Sequence, residues 1–122
     1  METSRAPAKR RLEAALERHV GLAESESANL YELRIKLALI AHEKRFLLLT
    51  YLMRHEGAFS SQHLASAIAD RHTNVVKHLS VMRAAGIIQG ERETATTIAH
   101  YSLNKAFVER LARFFVEGPT AS

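Results

Sequence analysis

Cysteine is absent from this chain, which excludes disulfides, thiolate metal sites and thiol redox chemistry. Proline occurs only at Pro7 and Pro119, so the stretch between them holds no proline to break a helix. Aspartate occurs once, at Asp70, leaving little material for paired-carboxylate chemistry. No apolar run approaches the ~20 residues needed to span a bilayer. No apolar stretch follows the amino-terminal arginines as in a secretory signal, and Glu13 and Glu17 interrupt the basic segment in a way that disfavours an organellar leader. A glycine-rich phosphate loop, a nucleophile elbow and a metal-ligand cluster are also missing. The expectation is a soluble, cytoplasmic, single-domain protein that is not an enzyme, with no cofactor and no identifiable small-molecule ligand.

What is present is an ordinary globular balance. The 122 residues are 47% hydrophobic and 25% charged, enough for one modest core. The formal charge is +4 with an isoelectric point near 9.8, which favours a polyanionic partner. The distribution is more telling than the total. Between Gly57 and Gly90 the only acid is Asp70, whereas Arg71, Lys77 and Arg83 are basic and His72 and His78 stand close by.

Hydrophobic periodicity predicts five helices, then a hairpin, then a last helix. The first spans residues 8–20. A polar loop, 21–28, separates it from a second helix at 29–41, which Asn29 and Glu32 would open as a capping box. Leu30, Leu33 and Leu37 line one of that helix's apolar faces. A third helix covers 43–55 with Phe46, Leu48, Leu49, Leu52 and Met53 as the core stripe. Ser60 caps a short fourth helix, 61–69. Val75, Leu79 and Met82 give a fifth, 73–85, an inward face, and Gly86 closes it. After Gly86 the period drops to two, giving strands at 87–92 and 97–103. A final helix, 104–117, carries Phe107, Leu111, Phe114 and Phe115.

This order is that of a winged helix-turn-helix: mainly α with a small β-hairpin. In such a fold the short fourth helix braces the fifth, whose polar face enters a major groove ~12 Å wide. Here that face holds Thr73, Asn74, Lys77, Ser80 and His78. Asn can pair with adenine and Lys with guanine or phosphate. Gln62, at a helix start, and His72 are candidate contacts beside it. In the hairpin, Arg92 and Thr94 are candidate wing contacts. Arg5, Lys9, Arg10 and Arg11 read as a solvated terminus.

The segments Leu39-Ile40-Ala41-His42-Glu43-Lys44-Arg45-Phe46-Leu47-Leu48-Leu49, His63-Leu64-Ala65-Ser66-Ala67-Ile68 and Val75-Val76-Lys77-His78-Leu79-Ser80-Val81-Met82-Arg83-Ala84-Ala85-Gly86-Ile87-Ile88 resemble the ArsR-type repressor family. The resemblance covers roughly residues 33–115. It implies double-stranded DNA as partner and a homodimer built from the terminal helices, with Leu30, Leu33, Leu37, Phe107, Leu111, Phe114 and Phe115 at the interface. It divides the single domain into an amino-terminal helix and loop (1–28), a winged-helix core (29–103) and a dimerisation helix (104–117). The turn Ala69-Asp70-Arg71-His72 departs from the glycine and serines frequent there.

Many such proteins sense metals, but no two of the seven histidines lie three or four residues apart, and the last helix holds none. No metal site is expected. The expected function is a sequence-specific repressor acting as a homodimer on an inverted repeat. Two alternatives stand beside it: a MarR-type regulator, whose wing usually carries an aspartate missing here, and a winged-helix protein-interaction module.

Overall fold

A computed structural model describes residues 5–91 and 98–119. Its elements are α1 (Arg5–Ala15), a π-helical turn (Leu16–Val20), α2 (Glu24–Ile40), α3 (Glu43–Arg54), β1 (Phe59–Ser60), α4 (Ser61–Ala67), α5 (His72–Ala84), β2 (Ile88–Glu91), β3 (His100–Leu103) and α6 (Lys105–Glu117). They form two compact units: one holds the described residues up to Ile35 and from Arg110 onward, the other Lys36–Glu109.

In the first unit, α1 starts earlier than expected and takes Pro7 into its first turn, where a missing N–H costs no helical bond. The helix then widens into the π turn, which Gly21 ends in a left-handed conformation. The residues expected as a loop before Asn29 are helical from Glu24 onward. Glu24 and Glu26 supply negative charge to the first turn, and the Glu26 carboxylate accepts the Ala23 N–H at 2.8 Å. The capping contact therefore closes at Ala23 and Glu26, not at Asn29 and Glu32. Ser27, fully buried, shares its single hydroxyl proton between Glu17 Oε2 at 2.8 Å and the Glu24 carbonyl at 2.9 Å. Lys9 Nζ sits 5.9 Å from the centre of the buried Tyr31 ring, a cation–π arrangement.

The second unit is built on Leu48, Leu49 and Leu52 of α3, Leu64 and Ala65 of α4, Val75, Leu79 and Met82 of α5, and Ile87 and Ile88, all buried. Each large side chain so buried contributes roughly 1.5–3 kcal/mol. Phe46 and Met53 do not belong to this stripe. Both are 56% exposed, because the buried side of α3 is the narrow row through Leu48, Leu49 and Leu52.

The sheet has three strands in the order β1-β3-β2, not two. β1 pairs Phe59 with Tyr101 and Ser60 with His100, while β2 pairs Ile88 with Leu103 and Glu91 with His100. All pairing is antiparallel. Gly90 lies opposite Tyr101, and a Cβ there would come within 2.7 Å of the tyrosine ring. Asn104 joins the ends of α5 and α6: its amide donates to the Gly86 carbonyl at 2.7 Å and its Oδ1 accepts from Ala106 N at 3.1 Å.

Candidate nucleic-acid interface

The outward face of α5 is set by its inward one. With Val75, Leu79 and Met82 wholly buried, helical geometry turns Thr73, Asn74, Lys77 and Ser80 to solvent, and all four are exposed. Val76, 39% exposed, lies among them. No carboxylate occurs on α5.

The brace is equally specific. Ser60 accepts the His63 N–H at 3.1 Å and caps α4, as expected. His63 stacks on Phe59 with centroids 4.9 Å apart and shares a 2.8 Å hydrogen bond with the Tyr51 hydroxyl. Tyr51, His63 and Phe59 thus tie α3, α4 and β1 together. Ser61 and His72 Nε2, 2.7 Å apart, link the starts of α4 and α5. Gln62, in the first turn of α4, is exposed.

The turn between these helices passes through Ala69, which has a left-handed φ of +56°. Asp70 follows, its Oδ1 accepting from Arg71 N at 2.7 Å and from the Asn74 amide at 3.4 Å. The Arg71 N–H, aided by Asn74, Lys44 and His78, holds the Asp70 carboxyl below its ordinary pKa, so it stays ionised. Asp70 is therefore engaged with its own helix start.

His78, grouped with the DNA contacts on sequence grounds, is engaged elsewhere. It is half-buried, accepts from Arg45 Nε at 3.2 Å and lies beside the His42 ring. Burial, with the charges at His42, Arg45 and Lys44, lowers its pKa, and only Asp70 opposes. Sequence periodicity could not find this contact, since Arg45 and His78 lie 33 residues apart.

Arg92 and Thr94 lie outside the described residues. Of the expected dimer positions, Leu33 and Phe107 are buried, while Leu30, Leu37, Leu111 and Phe114 are half-buried. Phe115 is 69% exposed, and beside it Val116, not singled out from the sequence, is 83% exposed. No group of three or more potential metal-ligating side chains occurs among the described residues.

The fold recurs in solved structures. The homodimeric winged helix-turn-helix DNA-binding domain of Mb0332 from Mycobacterium bovis, a possible ArsR-family regulator, aligns at a TM-score of 0.57 and 20% identity, covering 80% of this chain and 93% of that one. An ArsR-like transcriptional regulator from Rhodococcus aligns at 0.60 and 24% identity, over 72% and 79% of the two chains. The transcriptional repressor BigR from Xylella fastidiosa aligns at 0.54 and 26% identity, over 72% and 88%. The chain has the ArsR-type winged helix-turn-helix fold. No family model and no curated protein matches the sequence. In the ArsR-type frame, α4 and α5 are the helix-turn-helix and β2 and β3 are the wing strands. No described helix is long and apolar enough to cross a membrane.

Proposed function

We propose that this chain is a transcription regulator that binds specific double-stranded DNA as a homodimer, repressing by occupying an inverted-repeat site, and that it is not an enzyme. The observation that carries this is the outward face of α5, where Thr73, Asn74, Lys77 and Ser80 are exposed without a carboxylate on the helix. Such a face offers donors and a cation to base edges and phosphates. Asn74 is assigned to adenine recognition, Lys77 to guanine or phosphate, and Thr73, His72 and Gln62 to the flanking backbone. Arg92 and Thr94 are assigned to the wing contact. His78 is left out, because it is half-buried with its Nδ1 held by Arg45, whereas His72 is exposed.

The dimer is assigned to the carboxy-terminal part of α6, where Phe115 and Val116 are exposed, with Leu111, Phe114 and Leu30 contributing. A two-fold dimer places two α5 helices in successive major grooves ~34–36 Å apart. Selection from a random duplex pool tests this. It should enrich an inverted repeat whose half-sites are separated by about one helical turn. Recovery of no common sequence, with affinity insensitive to salt, would instead support the protein-interaction reading, since a mainly apolar interface lacks the counterion term.

A further inference from the structure

Two imidazoles meet where the start of α3 lies against the middle of α5. The His42 and His78 rings are 4.7 Å apart and inclined at 51°. His42 Nδ1 accepts the Lys44 backbone N–H at 3.2 Å and so caps α3. His78 Nδ1 accepts Arg45 Nε–H at 3.2 Å, and the same guanidinium donates through Nη1 to the Leu39 carbonyl, also at 3.2 Å. Arg45 thereby joins the end of α2, the start of α3 and the middle of α5.

The donors decide the chemistry. A backbone N–H and a guanidinium N–H can only donate, so both Nδ1 atoms must carry lone pairs and both protons must reside on Nε2. Protonating either Nδ1 turns an acceptor into a donor aimed at another donor. We propose that the Arg45–His78 contact beside His42 is a proton-sensitive latch, holding α5 against α3 while the His78 ring is neutral and releasing it in acid. This deepens the DNA-binding reading by assigning its regulation to a change in proton concentration.

The charges around the latch set its direction. His78 faces His42, Lys44 and Arg45 from α3 and its cap, and Asp70 from the turn before α5. A proton on His78 therefore adds a positive charge beside two fixed cations, relieved by one carboxylate. Because its pKa is lowered in the folded protein, the latch is complete above the ordinary histidine value of ~6.5 and opens as pH falls through the lower folded value.

Two measurements on the full chain test the latch. Without DNA, long-range proton–nitrogen correlation spectra should show both rings as Nε2–H tautomers at pH 7.5, with the Arg45 Nε–H shifting as His78 protonates. An Nδ1–H tautomer at either ring would overturn the proposal. With the selected duplex at constant ionic strength, affinity should be flat above pH ~6.5 and then fall by up to about a hundredfold per pH unit, the limit for two linked protons, one from each protomer of the dimer. His78→Gln keeps an acceptor for Arg45 without a titrating proton, so it should bind normally at pH 7.5 and stay flat to pH 5.5. His42→Asn keeps the cap and should reduce the drop. A wild-type affinity that is flat or rises in acid, or a drop that persists in His78→Gln, would refute the latch. Absence of specific binding at pH 7.5 would refute the DNA-reading function instead, with the spectra still deciding the latch.

Discussion

Replacing Ala69 by glycine should stabilise this protein, against the usual direction of such a change. Ala69 sits in the turn between α4 and α5 with φ +56°, where its Cβ is crowded by the backbone. A left-handed residue other than glycine costs roughly 1–2 kcal/mol. Glycine removes that cost but adds freedom to the unfolded chain, worth about 0.4–1 kcal/mol against folding. The difference leaves a net stabilisation of about 0.5–1 kcal/mol. For a chain of this length that corresponds to a rise in melting temperature of about 2–4 °C. Ala69→Val should move the other way, because a β-branched side chain tolerates positive φ poorly. Urea denaturation followed by circular dichroism, with unchanged m values, reads both variants. Destabilisation of Ala69→Gly by about 0.5 kcal/mol or more would refute the reasoning, since that is the outcome where alanine is unstrained.

Further outcomes follow from the same contacts. Asn104→Ala should cost about 1.5–2.5 kcal/mol, combining a lost helix cap with a lost bond to Gly86, and Asn104→Ser should recover about 1 kcal/mol of it; equal loss in both would remove the capping role. Phe115→Glu should yield folded monomers by analytical ultracentrifugation, because the ring is mostly exposed in the protomer; an unchanged dimer would displace the interface from α6. Leu33→Glu should unfold the chain rather than separate subunits, since Leu33 is buried within its own protomer; a stable monomer would contradict this. Asn74→Ala should relax sequence preference at one base pair per half-site in repeat selection; an unchanged preference would exclude Asn74 from base reading.

The sequence revealed most where glycine or a capping residue punctuates it. Gly57, Ser60, Gly86 and Gly118 bounded α3 to α6 to within a residue or two, and the burial of Val75, Leu79 and Met82 follows from their spacing alone. Legibility failed where signals were ambiguous or distant. Glu24 to Ala28 looked like a polar loop, yet the same acids stabilise a helix start. Phe59 and Ser60 are too short a strand for any periodicity to register. Phe46 and Met53 fit a helical stripe by spacing, but nothing local reveals that α3 buries only its leucines. The link from Arg45 to His78 is tertiary, and only the packing of α3 against α5 brings it together. Within the candidate site, the outward residues of α5 were legible because the inward ones were.

The claim that this outward face binds DNA is tested most directly by salt. Binding of the selected duplex should weaken as salt rises, with a log–log slope of about −0.9 for each phosphate neutralised, and Lys77→Ala should make that slope shallower by about two units, one from each protomer, if Lys77 contacts phosphate. If Lys77 contacts guanine instead, the same variant should lose discrimination at that base pair. Affinity, slope and sequence preference all unchanged in Lys77→Ala would contradict the placement of α5 in the groove.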